Sequence, residues 1–413
     1  MNILLYRMFR CKRLLYALVV TMCSQNVVVA QVYVNNALLT IEENAFAFVG
    51  GDLDFDGAVN INNQGVLALT GDISNNSVSD GHVFDSSAGK VCFWGGEQSV
   101  KGVGSVFFSS VEFTGHTRKE LLVDVFVNKR LNLNGCELAV ISSKAGLNSA
   151  DTSALAFEEG VGYITTERGD SWFFRAMNAG NTYVYPFGRY AFGSWLDYKP
   201  MIFTPDTYGK VYGQLQSHDP GYDGYSTANL SQKVGSVNRE YYYRISAVDT
   251  GVLSTSVGCL FDSIRYKGFD IITNWDSAMA KWVNLQSGTP LSSNMSGFKS
   301  VNARSLRIDP HSNMVIGLGV LAARKTFDMS LPNAFTPNGD GENDYLVFPD
   351  LYKYPENKLL VFNRNGNNVY EKVGYDNRWD GSNLAEGTYF YILSVKDNDG
   401  QWHDLKNFLM IVR

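Results

Sequence analysis

Charge is scarce in this 413-residue chain. Asp, Glu, Lys and Arg make up 18% of it, against about 25% in a typical soluble domain. The formal net charge is −6, and beyond the first thirteen residues Lys and Arg never cluster. With no basic surface to gather phosphates, no nucleic-acid partner is expected. Histidine is rare too. His82, His116, His218, His311 and His403 are scattered without ligand spacing, and no HExxH, Gly-x-Ser-x-Gly or Walker loop occurs. No catalytic residue and no cofactor is assigned, and a non-enzymatic protein is expected. The alternative is a carbohydrate-active or carbohydrate-binding protein, whose acid/base pair would be hidden among the Asp and Glu.

Long apolar runs are missing after the first thirty residues, so no later segment has the length of a transmembrane helix. Within those thirty, Arg7, Arg10, Lys12 and Arg13 precede an apolar run from Leu14 to Met22 and a polar stretch ending at Ala30. This is the layout of a secretory signal, with cleavage expected after Ala30 in preference to lipidation at Cys23, which follows an unsuitable Met22. Cysteine is sparse. Removing residues 1–30 leaves Cys92, Cys136 and Cys259, an odd and dispersed set that makes no disulfide framework and reads as buried thiols. A single Cys92–Cys136 bridge is the other option.

Glycine (39 residues) and aromatics (13%) are plentiful, and runs of Val, Phe, Tyr and Thr alternate with Asn, Asp, Ser and Gly. The chain therefore reads as all-β. Over residues 31–167, Gly51-Asp52-Leu53 recurs twenty residues later as Gly71-Asp72-Ile73, the period of a β-solenoid coil whose aliphatics stack inward. In Val125 to Val140, Val127, Leu131 and Leu133 alternate with polar residues and Asn134-Gly135 makes a corner. A short parallel β-solenoid is expected here.

From 168 to 326 the texture turns aromatic, with Trp172, Phe173, Phe174, Tyr183, Tyr185 and Phe187. Strands are expected at Tyr198 to Phe203, Lys210 to Leu215, Glu240 to Ser246, Val257 to Tyr266 and Met314 to Leu321, and such spacing favours a β-sandwich. Together with Tyr190, Phe192 and Trp195, the aromatics of this segment could stack on a glycan, but their strand spacing favours core. Arg168-Gly169-Asp170 reads as a turn.

The block 327–413 has an Asn365-Gly366 hairpin, expected to be type I′. It also has a Trp379-Asp380-Gly381 turn and strands at Tyr345 to Phe348, Gly387 to Leu393 and Lys406 to Val412. Six or seven strands in about eighty-five residues are expected to make an Ig-like β-sandwich.

Two loops carry oxygen ligands at alternate positions. Asn338, Asp340, Glu342 and Asp344 could face one calcium ion, but the twelfth position of that loop is Pro349, and a turn that satisfies its own backbone fits the same residues. Asp52, Asp54 and Asp56 open like an EF-hand loop, whose twelfth position is Asn63. Strand alternation instead puts them on the outer face, with Leu53 and Phe55 inward.

With its Gly-Asp and Leu-x-Leu-x-Gly phrases, the first block resembles the solenoid-like front halves of large Bacteroidetes surface proteins, in which Gly-Asp, Asn-Asn-Gly and Leu-x-Leu-x-Gly phrases recur. The last block carries five ordered elements: Phe335-Thr336-Pro337-Asn338-Gly339-Asp340-Gly341-Glu342-Asn343-Asp344, then Val361-Phe362-Asn363-Arg364 with Gly366, Trp379-Asp380-Gly381, Gly387-Thr388-Tyr389-Phe390-Tyr391, and Arg413. This block resembles the gliding-motility-associated C-terminal domain, the type B sorting domain of the type IX secretion system. Asn365 and Asn407 stand where that family often has Trp and Gly. The resemblance implies export through the periplasm, recognition by the type IX secretion translocon, secretion or cell-surface display, and an adhesive or structural passenger with an extracellular ligand, a glycan among the options.

Overall fold

The computed structural model describes residues 27–29, 31–77, 84, 88–191, 195–248, 251–266, 268–285, 291–292, 297–310, 312–322, 329–397 and 400–413. The expected signal and its cleavage site lie outside these residues, as do His82, His311 and Phe192 and the side chains of Arg168, Tyr190 and Trp195. The chain divides into two compact units, residues 1–323 and 324–413. It is nearly all β.

The first unit begins as a parallel solenoid of about six coils. One wall stacks Val32–Asn35, Leu53–Gly57, Ile73–Ser77, Gln98–Gly102, Arg118–Leu121, Glu137–Ile141 and Tyr163–Arg168 in order. Its register aligns one inward ladder, Val32, Leu53, Ile73, Val100, Leu121 and Val140. The opposite wall aligns Leu67, Val91, Val111, Leu131 and Leu155. These ladders form the interior, and most of their members are fully buried.

The twenty-residue step is the corner of one coil lying on the next. Gly71 N–H donates to Gly51 O at 3.0 Å. Asp52 Oδ1 accepts the Asp72 N–H at 2.8 Å, and Asp72 Oδ1 accepts the Ser99 N–H at 2.8 Å. Buried asparagines tie other corners. Asn75 donates to Ser105 O at 2.9 Å and accepts from the Ser77 N–H, so its amide is satisfied away from water. Cys92, Cys136 and Cys259 are buried and free.

The second wall does not stop at the last coil. Lys144–Leu147 pairs in parallel with Trp172–Met177, which pairs antiparallel on its other edge with Gly209–Gln216. The sheet continues through Tyr242–Ala247, Met314–Leu321, Ile271–Asp276 and Lys281–Asn284. A separate antiparallel sheet, Tyr183–Tyr185, Met201–Pro205, Leu253–Asp262, Phe298–Ile308 and Leu291–Ser292, packs on this extension. Tyr185 carries the contact between the layers, its ring 5.5 Å from Phe173 and 4.7 Å from Phe203, its hydroxyl donating to Val211 O at 2.8 Å. Solenoid and sandwich thus share one core, and residue 168 falls inside a continuous body. The expected strand from Tyr198 to Phe203 is broken into Trp195–Tyr198 and Met201–Pro205, because Pro200 offers no N–H to a ladder. The eleven-residue strand Phe298–Ile308 was not foreseen.

The C-terminal unit is one five-stranded sheet, ordered Ala334–Phe335, Trp402–Ile411, Gly387–Lys396, Asn357–Phe362 and Asn368–Val373. Segments outside the sheet cover its buried face. Tyr345 to Phe348 keeps the expected alternation, with Leu346 and Phe348 buried, but makes no ladder. It is held instead by Leu346 N–H to Trp379 O (2.9 Å) and Phe348 N–H to Asn377 Oδ1 (3.0 Å).

Because Ile73 sits in the middle of the inward ladder, replacing Ile73 with Ala is expected to cost the first unit about 2–5 kcal/mol. Urea unfolding of the chain measures this, with Asp54→Ala on the outer face expected to change little.

Candidate functional site

Three places gather polar or charged side chains. The first is the loop 336–344. Asp344 accepts the N–H groups of Gly339 (2.7 Å) and Gly341 (2.8 Å). Asp340 accepts the Glu342 N–H at 2.8 Å and the Asn338 amide at 2.9 Å, and Asn338 Oδ1 accepts the Asp340 N–H at 3.1 Å. The Glu342 amide and the Asn338 side chain hold the exposed Asp340 carboxyl below its usual range. The oxygens of Asn338, Asp340 and Asp344 therefore bond groups of the loop itself.

The second is the outer face of Leu53–Gly57. Asp54 accepts from the Gln31 amide at 3.1 Å, Asp56 from the Tyr33 hydroxyl at 2.8 Å, and Asp52 bonds the next coil as described. Leu53 and Phe55 point inward, as alternation requires. Among the described residues, no group of three or more His, Cys, Asp or Glu is arranged to hold a metal ion.

The third place went unrecognised in the sequence. Asp197 and Lys199 are buried and paired with each other. Arg265 lies 3.4 Å and Arg189 3.9 Å from the same carboxylate, and the Tyr266 hydroxyl donates to it at 3.3 Å. Lys199 Nζ sits 4.5 Å from the centre of the Tyr241 ring. Burial pushes the Lys199 ammonium down to about 8, against the opposing pull of Asp197. A period-two pattern marks Asp197 and Lys199 as same-face residues, but no sequence signal brings Arg265 to them.

The last block draws its motif elements into one core. Trp379 stacks on Tyr370 at 4.8 Å and meets Phe335 at 5.7 Å. The Tyr375 hydroxyl donates to Leu346 O at 2.5 Å, and Phe348 packs on Tyr391 at 5.3 Å. Gly381 takes φ +66°, and a Cβ there would come within 3.0 Å of Ile411 and Phe335, so turn and core both demand glycine. The Arg413 guanidinium donates to Leu384 O (2.5 Å) and Gly381 O (3.1 Å), tying the chain's last residue to the Trp-Asp-Gly turn. The hairpin differs from the expected type I′. Gly366 has φ +80° but Asn365 does not lie at positive φ. Gly366 N–H bonds Asn363 O at 2.9 Å, and the register shifts after Val361, as in a three-residue loop ending in a left-handed glycine.

Residues 329–411 match the family model of the CHU_C type IX secretion signal domain. The block is a type IX secretion signal domain. No curated protein and no solved structure matches the chain. The signal domain assembles its recognition motifs as buried packing, with Phe335, Trp379, Tyr389 and Tyr391 all in its core. The 338–344 loop, the Arg364–Gly366 turn, Phe390 and Arg413 are among the exposed parts of those motifs.

Lys199 has a folded pKa below its unfolded one, so the unfolded state binds more protons between about pH 8 and 10.4. The first unit is expected to gain stability as pH rises from about 8 to 10, by on the order of 1 kcal/mol per unit. Denaturant titrations at each pH test this, and Lys199→Met is expected to flatten the slope. In the signal domain, the loop amides already occupy Asp340 and Asp344. EDTA is therefore expected to move the unfolding midpoint by no more than about 1 °C, whereas an ion held at 100 times its Kd would add about 2.7 kcal/mol.

Proposed function

We propose that this protein is a non-enzymatic adhesive or structural protein, carried through the periplasm and outer membrane by the type IX secretion machinery and then displayed on the cell surface or released. The signal domain gives the chain its export by the type IX system. What supports the adhesive or structural reading of the rest is its continuity. One sheet runs from the first coils into the sandwich through Trp172–Met177, over a single core. Such a body offers long regular faces for contact and resists local opening, because the inner coils are paired on both sides.

A specific observation favours glycan as the extracellular ligand. On the face of that sheet away from the shared core, Phe107, Phe126, Phe174 and Tyr212 form one row, with ring separations of 5.0, 6.0 and 5.4 Å; Phe107, Phe126 and Tyr212 are half-buried and reachable, while Phe174 is buried between them. Gly146 lies between Phe126 and Phe174 in the register and leaves room for the Phe174 ring. Lys210 lies 5.7 Å from the Phe174 ring centre and Lys144 5.9 Å from that of Tyr212. Aromatic faces beside cations suit a sugar chain that carries acidic groups.

The experiment compares cells making the full chain, cells lacking it, and cells making it with Phe126→Ser and Tyr212→Ser. Attachment to a solid surface is expected to fall without the chain, and unchanged attachment would sink the adhesive reading. The double variant is expected to lose retention on an acidic polysaccharide matrix by about tenfold if the row binds glycan.

A further inference from the structure

The signal-domain sheet fills its core from one face only. Leu359, Val361, Tyr389, Tyr391, Leu393, Val395, Leu409 and Ile411 point inward and are buried. The other face carries aromatics that the core does not need. Phe362 is register-paired with Phe390, and Phe390 with Phe408, so three phenylalanines line up across three neighbouring strands. Phe390 is 50% exposed and Phe408 44%, and Met410 on the same face is 43% exposed. Phe362, Phe390, Ile392 and Phe408 line an open groove of 540 Å³. Contiguous apolar surface of this kind on a soluble domain marks an interaction site.

The rim of the groove is basic. Arg364 and Lys406 line it, and among the described residues neither has an ion-pair partner. At the other end of the same face the cations are paired, Lys358 with Glu371 at 2.6 Å and Lys396 with Glu356 at 2.8 Å. Free positive charge is thus confined to the edge of the apolar row. The complementary surface is apolar and aromatic with an acidic rim.

We propose that the face bearing Phe362, Phe390 and Phe408 is where the type IX secretion machinery grips the signal domain, through a component presenting such an apolar, acid-rimmed surface. This rests on the reading of residues 329–411 as the export signal. A signal must be read from outside, and the motif aromatics Phe335, Trp379, Tyr389 and Tyr391 are buried. Phe390 lies between Tyr389 and Tyr391 in the same motif but faces outward, where its side chain can be touched without unfolding.

The test follows export of the full chain in cells that possess the machinery, by separating periplasm from surface and medium. Phe390→Thr with Phe408→Thr keeps strand-forming residues on the outer face and leaves the core untouched. This variant is expected to cut the exported fraction about tenfold or more, with the chain accumulating in the periplasm. Arg364→Glu with Lys406→Glu keeps the aromatic row and is expected to lower export as well. Tyr352→Thr, an exposed aromatic outside the row, is expected to export normally. Unfolding curves of the purified variants establish that the domain remains folded. Normal export of either folded double variant overturns the proposal. A wild-type dimer that Phe390→Thr/Phe408→Thr converts to monomer would assign the face to a second copy and overturn it too. Deleting residues 329–411 is the separate arm: normal export after deletion removes the export reading itself. Retention after deletion with normal export of the double variants removes only this face.

Discussion

The first unit depends on the strand Trp172–Met177 pairing parallel on one edge and antiparallel on the other. A parallel solenoid ends in open strand edges whose N–H and C=O groups would otherwise template aggregation. Here the sandwich supplies the missing partner on one wall. On the other wall it closes the last coil through Ile164 N–H to Pro186 O at 2.8 Å and Leu215 N–H to Thr166 Oγ1 at 2.8 Å. The sandwich therefore acts as the cap that stacked coils require.

That junction also explains where the aromatics went. Trp172-Phe173-Phe174 splits by strand alternation: Phe173 enters the shared core, and Phe174 lies on the opposite face, buried between Phe126 and Tyr212. Beyond the junction, Asp197 and Lys199 lie buried among Arg265, Arg189 and Tyr266. Burying such charges costs several kcal/mol per ion, which mutual attraction offsets only when the geometry is good. Their worth is in fixing one arrangement, since a mispaired strand would strand a charge in the core.

The signal domain divides its labour between two faces of one sheet. Its motif residues Phe335, Trp379, Gly381, Tyr389 and Tyr391 fix the packing, while the alternating partners Phe390 and Phe408 stay in solvent. Arg413 adds a clamp from the end of the chain onto the Trp-Asp-Gly turn.

Much of this was legible in the residues. The twenty-residue Gly-Asp step is the coil period, Leu53 and Phe55 point inward with the aspartates outward, and the ordered elements of the last block belong to a secretion signal domain. These are local patterns: alternation has period two, and a motif's order is written in the chain itself. The type I′ hairpin, the ladder expected at Tyr345 to Phe348 and the unbroken strand across Pro200 were misjudged, because propensity does not say whether a partner strand lies alongside. Residues far apart in sequence needed the tertiary structure. The sequence by itself determined an all-β chain with a stacked-coil front and an export address at its end. Only the tertiary structure decided that the solenoid and sandwich share one sheet, that Arg265 meets Asp197 across 68 residues of chain, and that Phe362, Phe390 and Phe408 fall in line. Each depends on strand register, which long-range packing sets and no local pattern encodes.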